Sequence, residues 1–200
     1  MTEASAPAPA KKKSGFRLWP LLSGLVLAGV LIGGLAYLVL SFKLYKVPQN
    51  GMFPTIDAGE TLVGQRKPYA SVNDVQRGDI VVFTVKQGGK DVDFIWRVIG
   101  LPGEEVGLID DVVTIDGERF ARTRLRKDGA KVIYQEEFRG KSWSVALPEP
   151  ANDWTKANMT PKKLGDSELF LLGDNRHDAQ DCRFSGPVAF STVVAKIVYP

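Results

Sequence analysis

Residues 77–104 read RGDIVVFTVKQGGKDVDFIWRVIGLPGE, and this stretch decides the fold. Ile80–Val85 and Asp93–Ile99 are short runs rich in β-branched and apolar residues, with glycine close by. Such runs bounded by turn residues are strands. Further along, Val112–Phe120 reads VVTIDGERF. Its Asp-Gly pair at 116–117 signals a two-residue hairpin, whose turn demands positive φ that these residues tolerate. Glu168–Leu172 and Val188–Val198 are further strand candidates. No segment after residue 43 carries a long apolar period of 3.6. The body, residues 43–200, is expected to be mostly β.

Leu18–Phe42 is different in kind. The chain has 26 Lys and Arg and 23 Asp and Glu, and none of them falls in these 25 residues. A helix of ~20 residues crosses the ~30 Å hydrocarbon layer, so residues 18–42 are expected to form a transmembrane helix. Trp19 and Tyr37 suit the interfaces. A cleavable signal peptide has an apolar core of only ~7–15 residues before a small-residue cleavage site. This run is longer and leaves through SFKLYK. Residues 1–17, MTEASAPAPAKKKSGFR, offer little to bury and are expected to be a disordered basic tail. Lys11, Lys12, Lys13 and Arg17 before the span put the N-terminus in the cytoplasm. The body is then extracytoplasmic, which in a bacterium means periplasmic or outer-face, on the inner membrane.

The formal net charge of +3 resides in that tail, and the body is neutral. A neutral body argues against nucleic acid as a partner, since displacing phosphate counterions takes basic charge. One cysteine, Cys182, excludes an internal disulfide, and one histidine, His177, excludes a multi-His metal site. No metal or other cofactor is expected. Arg119, Arg122, Thr123, Arg124, Arg126 and Lys127 form a basic stretch in which Arg122, Arg124 and Arg126 alternate along one strand face. A solvated face is the plain reading, and contact with anionic lipid headgroups is the functional one.

Four segments carry a family resemblance: PQNGMFPTIDAGE at 48–60, RGDIVVF at 77–83, FIWRVIGLPGE at 94–104 and GDNRHDAQDCRFSGPV at 173–188. In this order they resemble the boxes of bacterial signal peptidase I, membrane-anchored Ser–Lys peptidases that remove signal peptides from exported proteins. The resemblance implies a β-rich extracytoplasmic domain behind one N-terminal transmembrane helix. It also implies roles by position. The nucleophilic serine falls on Gly51, the general-base lysine on Trp96, the serine that helps bind the oxyanion on Gln49, and the lysine-orienting serine on Ala179. Cys182 replaces a further serine. By the same resemblance Gln49, Asn50, Gly51, Met52 and Trp96 border the peptide groove. Asp79, Arg97, Asp174, Asn175, Arg176, Asp181 and Arg183 match the family and imply a charged structural scaffold. Gly78, Gly100, Gly103, Gly173 and Pro102 suit turns.

Loss of a serine-protease nucleophile costs on the order of a million-fold in rate. The resemblance with these four columns changed implies a catalytically inactive, membrane-bound relative that binds an extended peptide or an envelope protein. One alternative is an active serine-type or thiol peptidase with a displaced nucleophile, for which Cys182 with His177 is the candidate pair. Cys182 reads more simply as a small buried stand-in for serine, and His177 as an exposed loop residue. Another alternative is a structural subunit or assembly factor of an envelope or pilus-type complex. Trp96 has two readings: filler of the volume a lysine stem would occupy, or an aromatic anchor that remodels the groove.

Overall fold

The computed structural model describes residues 19–149 and 158–199, so the expected basic tail, residues 1–17, lies outside the described residues. The chain divides into two compact units, Met1–Val39 and Leu40–Pro200. Helix α1 runs Trp19–Ser41, all but its last two residues in the first unit, and carries no charged residue. Its 23 residues make a rod of about 34 Å at 1.5 Å per residue. Val26, Leu27, Val30, Leu31, Ile32 and Leu35 are all exposed, so the helix is apolar around its circumference. Among the described residues no helix is long and apolar enough to cross a membrane; the side chains of residues 19–22 and 25 lie outside that set.

The second unit is mostly β. Its strands in chain order are β1 (Phe42–Lys46), β2 (Thr61–Arg66), β3 (Ile80–Gln87), β4 (Lys90–Gly100), β5 (Glu105–Ile109), β6 (Val112–Ile115), β7 (Glu118–Arg119), β8 (Ala121–Asp128), β9 (Lys131–Phe138), β10 (Lys141–Pro148), β11 (Met159–Lys163), β12 (Glu168–Leu172), β13 (Val188–Ala189) and β14 (Val193–Tyr199). A single short helix, α2 (Cys182–Ser185), lies between β12 and β13. A seven-stranded sheet has the order β1-β2-β14-β3-β4-β12-β13; β10-β9-β8 and β11-β5-β6-β7 form two smaller sheets.

The stretch that opened the reading becomes the hairpin β3–β4, closed by Gly88 and Gly89 at φ 56 and 78. Asp116 and Gly117 turn β6 into β7 with φ 50 and 82, the positive pair a two-residue hairpin requires. Val188–Val198 is not one strand. It pairs with β12 at one sheet edge and then with β2 and β3 in the interior. One straight strand cannot serve both places, so a 3-10 turn at Phe190–Thr192 separates β13 from β14.

Strand β12 covers β4 only at Arg97, Val98 and Gly100. Around that overlap Val98, Ile99, Leu169, Phe170 and Leu171 are fully buried, the run of apolar residues typical of a strand covered on both faces. Two glycines expected in turns serve packing instead. A Cβ on Gly100 would fall inside 3.0 Å of Val106, Leu164 and Phe170, and Gly173 is equally crowded. Gly78 and Gly103, at φ 91 and 75, do occupy left-handed turn positions.

Candidate functional site

The site is assembled where β12 ends. Leu172 is its last residue, and the loop that follows, Gly173–Arg176, is fixed from four directions. The Gly173 amide donates to Asp181 Oδ2 at 3.0 Å. The Asp174 carboxylate receives Arg97 in a two-pronged pair, Nε to Oδ1 at 2.8 Å and Nη2 to Oδ2 at 2.6 Å. Thr55 Oγ1 donates to Asp174 Oδ2, and Arg97 Nη1 donates to the Gly78 carbonyl. The Asn175 amide donates to the Gly51 carbonyl at 3.0 Å, and its side-chain Nδ2 to the Asn50 carbonyl at 2.8 Å. Arg176 donates both Nη atoms to Glu136. Arg183 binds the Asp181 carboxylate through Nε and Nη2, which caps the start of α2. The structure thus brings the 48–60, 94–104 and 173–188 segments together. Asp79 is fixed separately, by Tyr69 Oη at 2.6 Å and by Lys196 Nζ at 2.8 Å.

These ion pairs are buried. Glu136 is 0% and Arg176 is 1% exposed. Burial alone would raise the Glu136 carboxyl, but Arg176 and Arg122 outweigh it and hold it below its ordinary value. Glu136 and Arg122 are scaffold members that sequence reading missed. The signal was present in β9: Glu136 falls in phase with Val132, Tyr134 and Phe138, a carboxylate in an apolar alternation. Arg122 faces Glu136 directly across β8 and β9 and is only 13% exposed, so this member of the basic stretch is not on a solvated face. Lys131 was missed as well; its Nζ donates to Asn175 Oδ1 at 2.7 Å and pairs with Asp178.

Beside the scaffold lie the altered columns. A Cβ on Gly51 would fall inside 3.0 Å of Trp96 Cη2 and Cζ3. A Cβ on Gly173 would fall inside 3.0 Å of the Ala179 Cβ, the Gly51 oxygen and Trp96 Cζ3. Gly51 and Gly173 thus both lie against one indole: the Cβ that Gly51 lacks is space the ring occupies, and that of Gly173 would meet the Ala179 methyl, the Gly51 oxygen and the ring. Trp96 is 6% exposed, and its Nε1 has no hydrogen-bond partner among the described residues. Met52 and Ala179 are buried, while Gln49 and Asn50 are exposed. Asn50 Oδ1 accepts the Ala58 amide at 3.0 Å.

From Trp96 outward, one face of the β3–β4 hairpin is apolar. Val81 stands opposite Trp96 and Phe83 opposite Phe94, the latter pair stacked at 5.8 Å. This face floors a cleft of about 320 Å³ whose far wall includes Gln180, Cys182 and Phe184. Over Lys90–Trp96 the outer side of β4 has no partner strand among the described residues, since β12 covers only Arg97–Gly100. An apolar cleft beside an open strand edge can take an extended chain.

The cysteine and histidine are not arranged as a nucleophile and base. Cys182 is 2% exposed, its Sγ accepts the Leu171 amide, and burial pushes the thiol up to about 12. His177, expected to be exposed, is 8% exposed, because its Nε2 lies 3.3 Å from Asp111 Oδ2 in the β5–β6 turn. Among the described residues no group of three or more His, Cys, Asp or Glu is set to hold a metal ion.

A β-rich body whose boxes meet around a buried Arg–Asp pair and a tight turn is the arrangement that the resemblance implies. Residues 19–200 match the family "Signal peptidase, peptidase S26", and the chain belongs to that family. It is 28% identical over 188 residues to signal peptidase I of Bacillus caldolyticus, covering 94% of this chain and 90% of that one. It is 30% identical over 143 residues to signal peptidase I S of Bacillus subtilis (strain 168), covering 71% and 66%. A crystal structure of a signal peptidase I from Enterococcus faecalis V583 aligns at 24% identity with a TM-score of 0.36, covering 60% of this chain and 93% of that one.

Proposed function

We propose that this chain is a non-hydrolysing member of the signal peptidase family that binds an extended peptide segment at the membrane. The observation that carries the reading is the Trp96 indole packed against Gly51 and Gly173. The ring takes up the space a nucleophile and its base would need, and neither Gly51 nor Trp96 supplies a group that attacks a carbonyl or accepts a proton. The open edge of β4 and the cleft beside it support binding: main-chain hydrogen bonds would hold the segment, and the apolar face would take its side chains. A displaced thiol nucleophile is disfavoured, because a thiol raised to about 12 is almost wholly protonated at neutral pH.

In this reading α1 crosses the bacterial inner membrane, with the N-terminus cytoplasmic and the β body outside. The 25-residue charge-free run at 18–42 in the sequence supports the span, and the basic cluster before it supports the direction. A reporter that works only in the periplasm, fused after Pro200, is expected to be active.

The test of function uses the full chain in detergent with an exported precursor and a fluorescent peptide spanning its cleavage site. Binding without cleavage is expected. Gly51→Ser alone stays inert, because a serine hydroxyl without an adjacent base is a poor nucleophile. Gln49→Ser, Gly51→Ser, Trp96→Lys and Ala179→Ser combined are expected to give weak cleavage, with the oxyanion contact worth roughly 10²–10³ in rate. Cleavage by the unaltered chain that vanishes in Cys182→Ala would overturn the proposal. Absence of both cleavage and peptide binding favours the assembly-subunit alternative.

A further inference from the structure

The loop after β12 is also held by a lysine that the arginine–carboxylate scaffold does not use. Lys131 opens β9, and its side chain runs to Asn175, 44 residues further along the chain. Its Nζ donates to Asn175 Oδ1 at 2.7 Å and to Asp178 Oδ2. Asn175 Nδ2 donates to the same Asp178 oxygen at 3.1 Å. One carboxylate oxygen therefore touches both an amine and the nitrogen of a carboxamide, and the amine already touches that carboxamide's oxygen.

The three groups are fixed in place. Asn175 is fully buried; its amide donates to the Gly51 carbonyl, its Nδ2 to the Asn50 carbonyl at 2.8 Å, and it bridges to Ala146 of β10. The Asp178 amide donates to the Asn175 carbonyl at 3.0 Å, so a tight turn holds the acid against the carboxamide. The Lys131 side chain is 24% exposed, and its Nζ lies 5.8 Å from the centre of the Phe53 ring. Among the described residues the charged group that pairs with this amine is Asp178. Reacting groups held together in this way need not lose further freedom to meet, which removes much of the barrier of a bimolecular step.

We propose that Lys131 and Asn175 join in an intramolecular isopeptide bond, with Asp178 relaying the protons. Asp178 takes a proton from the Lys131 ammonium, and the neutral Nζ attacks Asn175 Cγ to form the new C–N bond. The carboxyl gives that proton to Nδ2 and takes another from Nζ. The Cγ–Nδ2 bond then breaks, and the last proton on Asp178 leaves with the released ammonia as ammonium. One lysine ammonium and one carboxamide become one secondary amide and one ammonium ion, with no oxidant or reductant consumed. Asp178 Oδ2 can serve both nitrogens because it is bonded to both. The product ties β9 to the loop that holds the Gly51 carbonyl, in a chain whose single cysteine allows no internal disulfide. Like a disulfide, it removes chain entropy from the unfolded state. It forms whether or not the cleft takes a peptide.

The test is mass spectrometry of the full chain purified in detergent. The intact chain should be lighter than its sequence requires by one ammonia. A tryptic digest should contain a branched peptide, residues 128–139 joined to 164–176, because trypsin does not cleave after an acylated Lys131. Lys131→Arg keeps the cation and its hydrogen bonds but not the nucleophile, and should have its full mass. Asp178→Ala should slow bond formation by at least ~100-fold, since a positioned proton-transfer group contributes about 10²–10⁴. Linking as fast in Asp178→Ala as in the unaltered chain would overturn the relay. Full mass, with separate peptides ending at Lys131 and at Arg176 that persist on long incubation at neutral pH, would overturn the bond and leave an ion pair only. So would an ammonia loss that survives in Lys131→Arg, because ring closure at Asn50–Gly51 to a succinimide sheds the same mass.

Discussion

Two regions a few ångströms apart have opposite character. On one side Arg97–Asp174, Arg176–Glu136 and Arg183–Asp181 form ion pairs whose side chains are between 0% and 8% exposed. On the other, the positions where the family resemblance puts the nucleophile and the base hold Gly51 and an indole, with Gly173 against the same ring. Buried ion pairs are weak sources of net stability but costly to break singly, since losing one partner strands the other charge. Every change to the ion pairs is therefore resisted by folding itself. The catalytic columns are under no such restraint. A hydroxyl or amine there can be replaced by carbon, provided the volume is filled.

The largest effect should come from breaking the charged side. Glu136→Gln leaves Arg176 and Arg122 buried with no carboxylate, at a cost of about 3–5 kcal/mol. Thermal unfolding of the detergent-solubilised chain would measure it. A loss below ~1 kcal/mol would mean that the arginines find other partners, and the contrast between the two regions would dissolve.

The filled hole can be tested by a cycle. Gly51→Ser alone forces a side chain into the Trp96 ring, and overpacking costs typically ~1–3 kcal/mol. In a Trp96→Ala background that strain has no cause, so the same serine should be close to neutral. The coupling between the two positions should be favourable and of the order of 1–3 kcal/mol. Additive effects would show that the ring moves aside at little cost, and the volume argument for lost catalysis would fall with it.

How far this was legible from sequence divides along chemical lines. The β3–β4 hairpin, the Asp116–Gly117 turn and β12 were readable because alternation and turn residues act locally. The four changed columns were readable because the flanking boxes fix their places. The sheet β8–β9–β10 was seen only as an alternation of arginines, since its strands are polar and mostly exposed on the β8 side. Glu136 stood out in the alternation of β9, but its pairing was hidden because Arg176 lies 40 residues away and no local pattern joins them. His177 was misjudged for the same reason: the residue that buries it, Asp111, is 66 positions distant. The packing of Trp96 on Gly51 and Gly173 is likewise a relation between three distant segments.

Acid should weaken the charged side and leave the filled hole untouched. Burial raises the Asp111 carboxyl, but the hydrogen bond and charge of His177, with Arg122 and Arg183, outweigh it and leave the group below its ordinary value. Glu136 is depressed in the same sense. A folded-state value below the unfolded one means that the native state binds fewer protons in between. The stabilisation is therefore complete above the unfolded value near 4 and is lost as pH falls through the lower folded value. Denaturant midpoints should be flat from neutrality to about pH 5 and then fall. Asp111→Asn should lower the neutral midpoint while leaving the acid end nearly unchanged, and so flatten part of that limb. A limb identical to that of the unaltered chain would remove Asp111 from the account.

The smallest effect should lie where charges are plentiful but wet. Arg124 and Lys127 both reach Glu149 at 3.1–3.3 Å, and Arg126 reaches Asp128 at 3.4 Å, with the arginines 55% and 59% exposed. Exposed pairs of this length gain little over hydration and are screened by salt, so Arg124→Ala or Arg126→Ala should each change stability by no more than about 0.5 kcal/mol. The same substitution at Arg122 removes one of two cations from a fully buried carboxylate and should cost several times more. Three arginines at alternating positions of one strand thus make an internal control. If Arg122→Ala is as mild as Arg124→Ala, burial does not set the value of a charge in this protein, and the distinction between its two regions loses its physical basis.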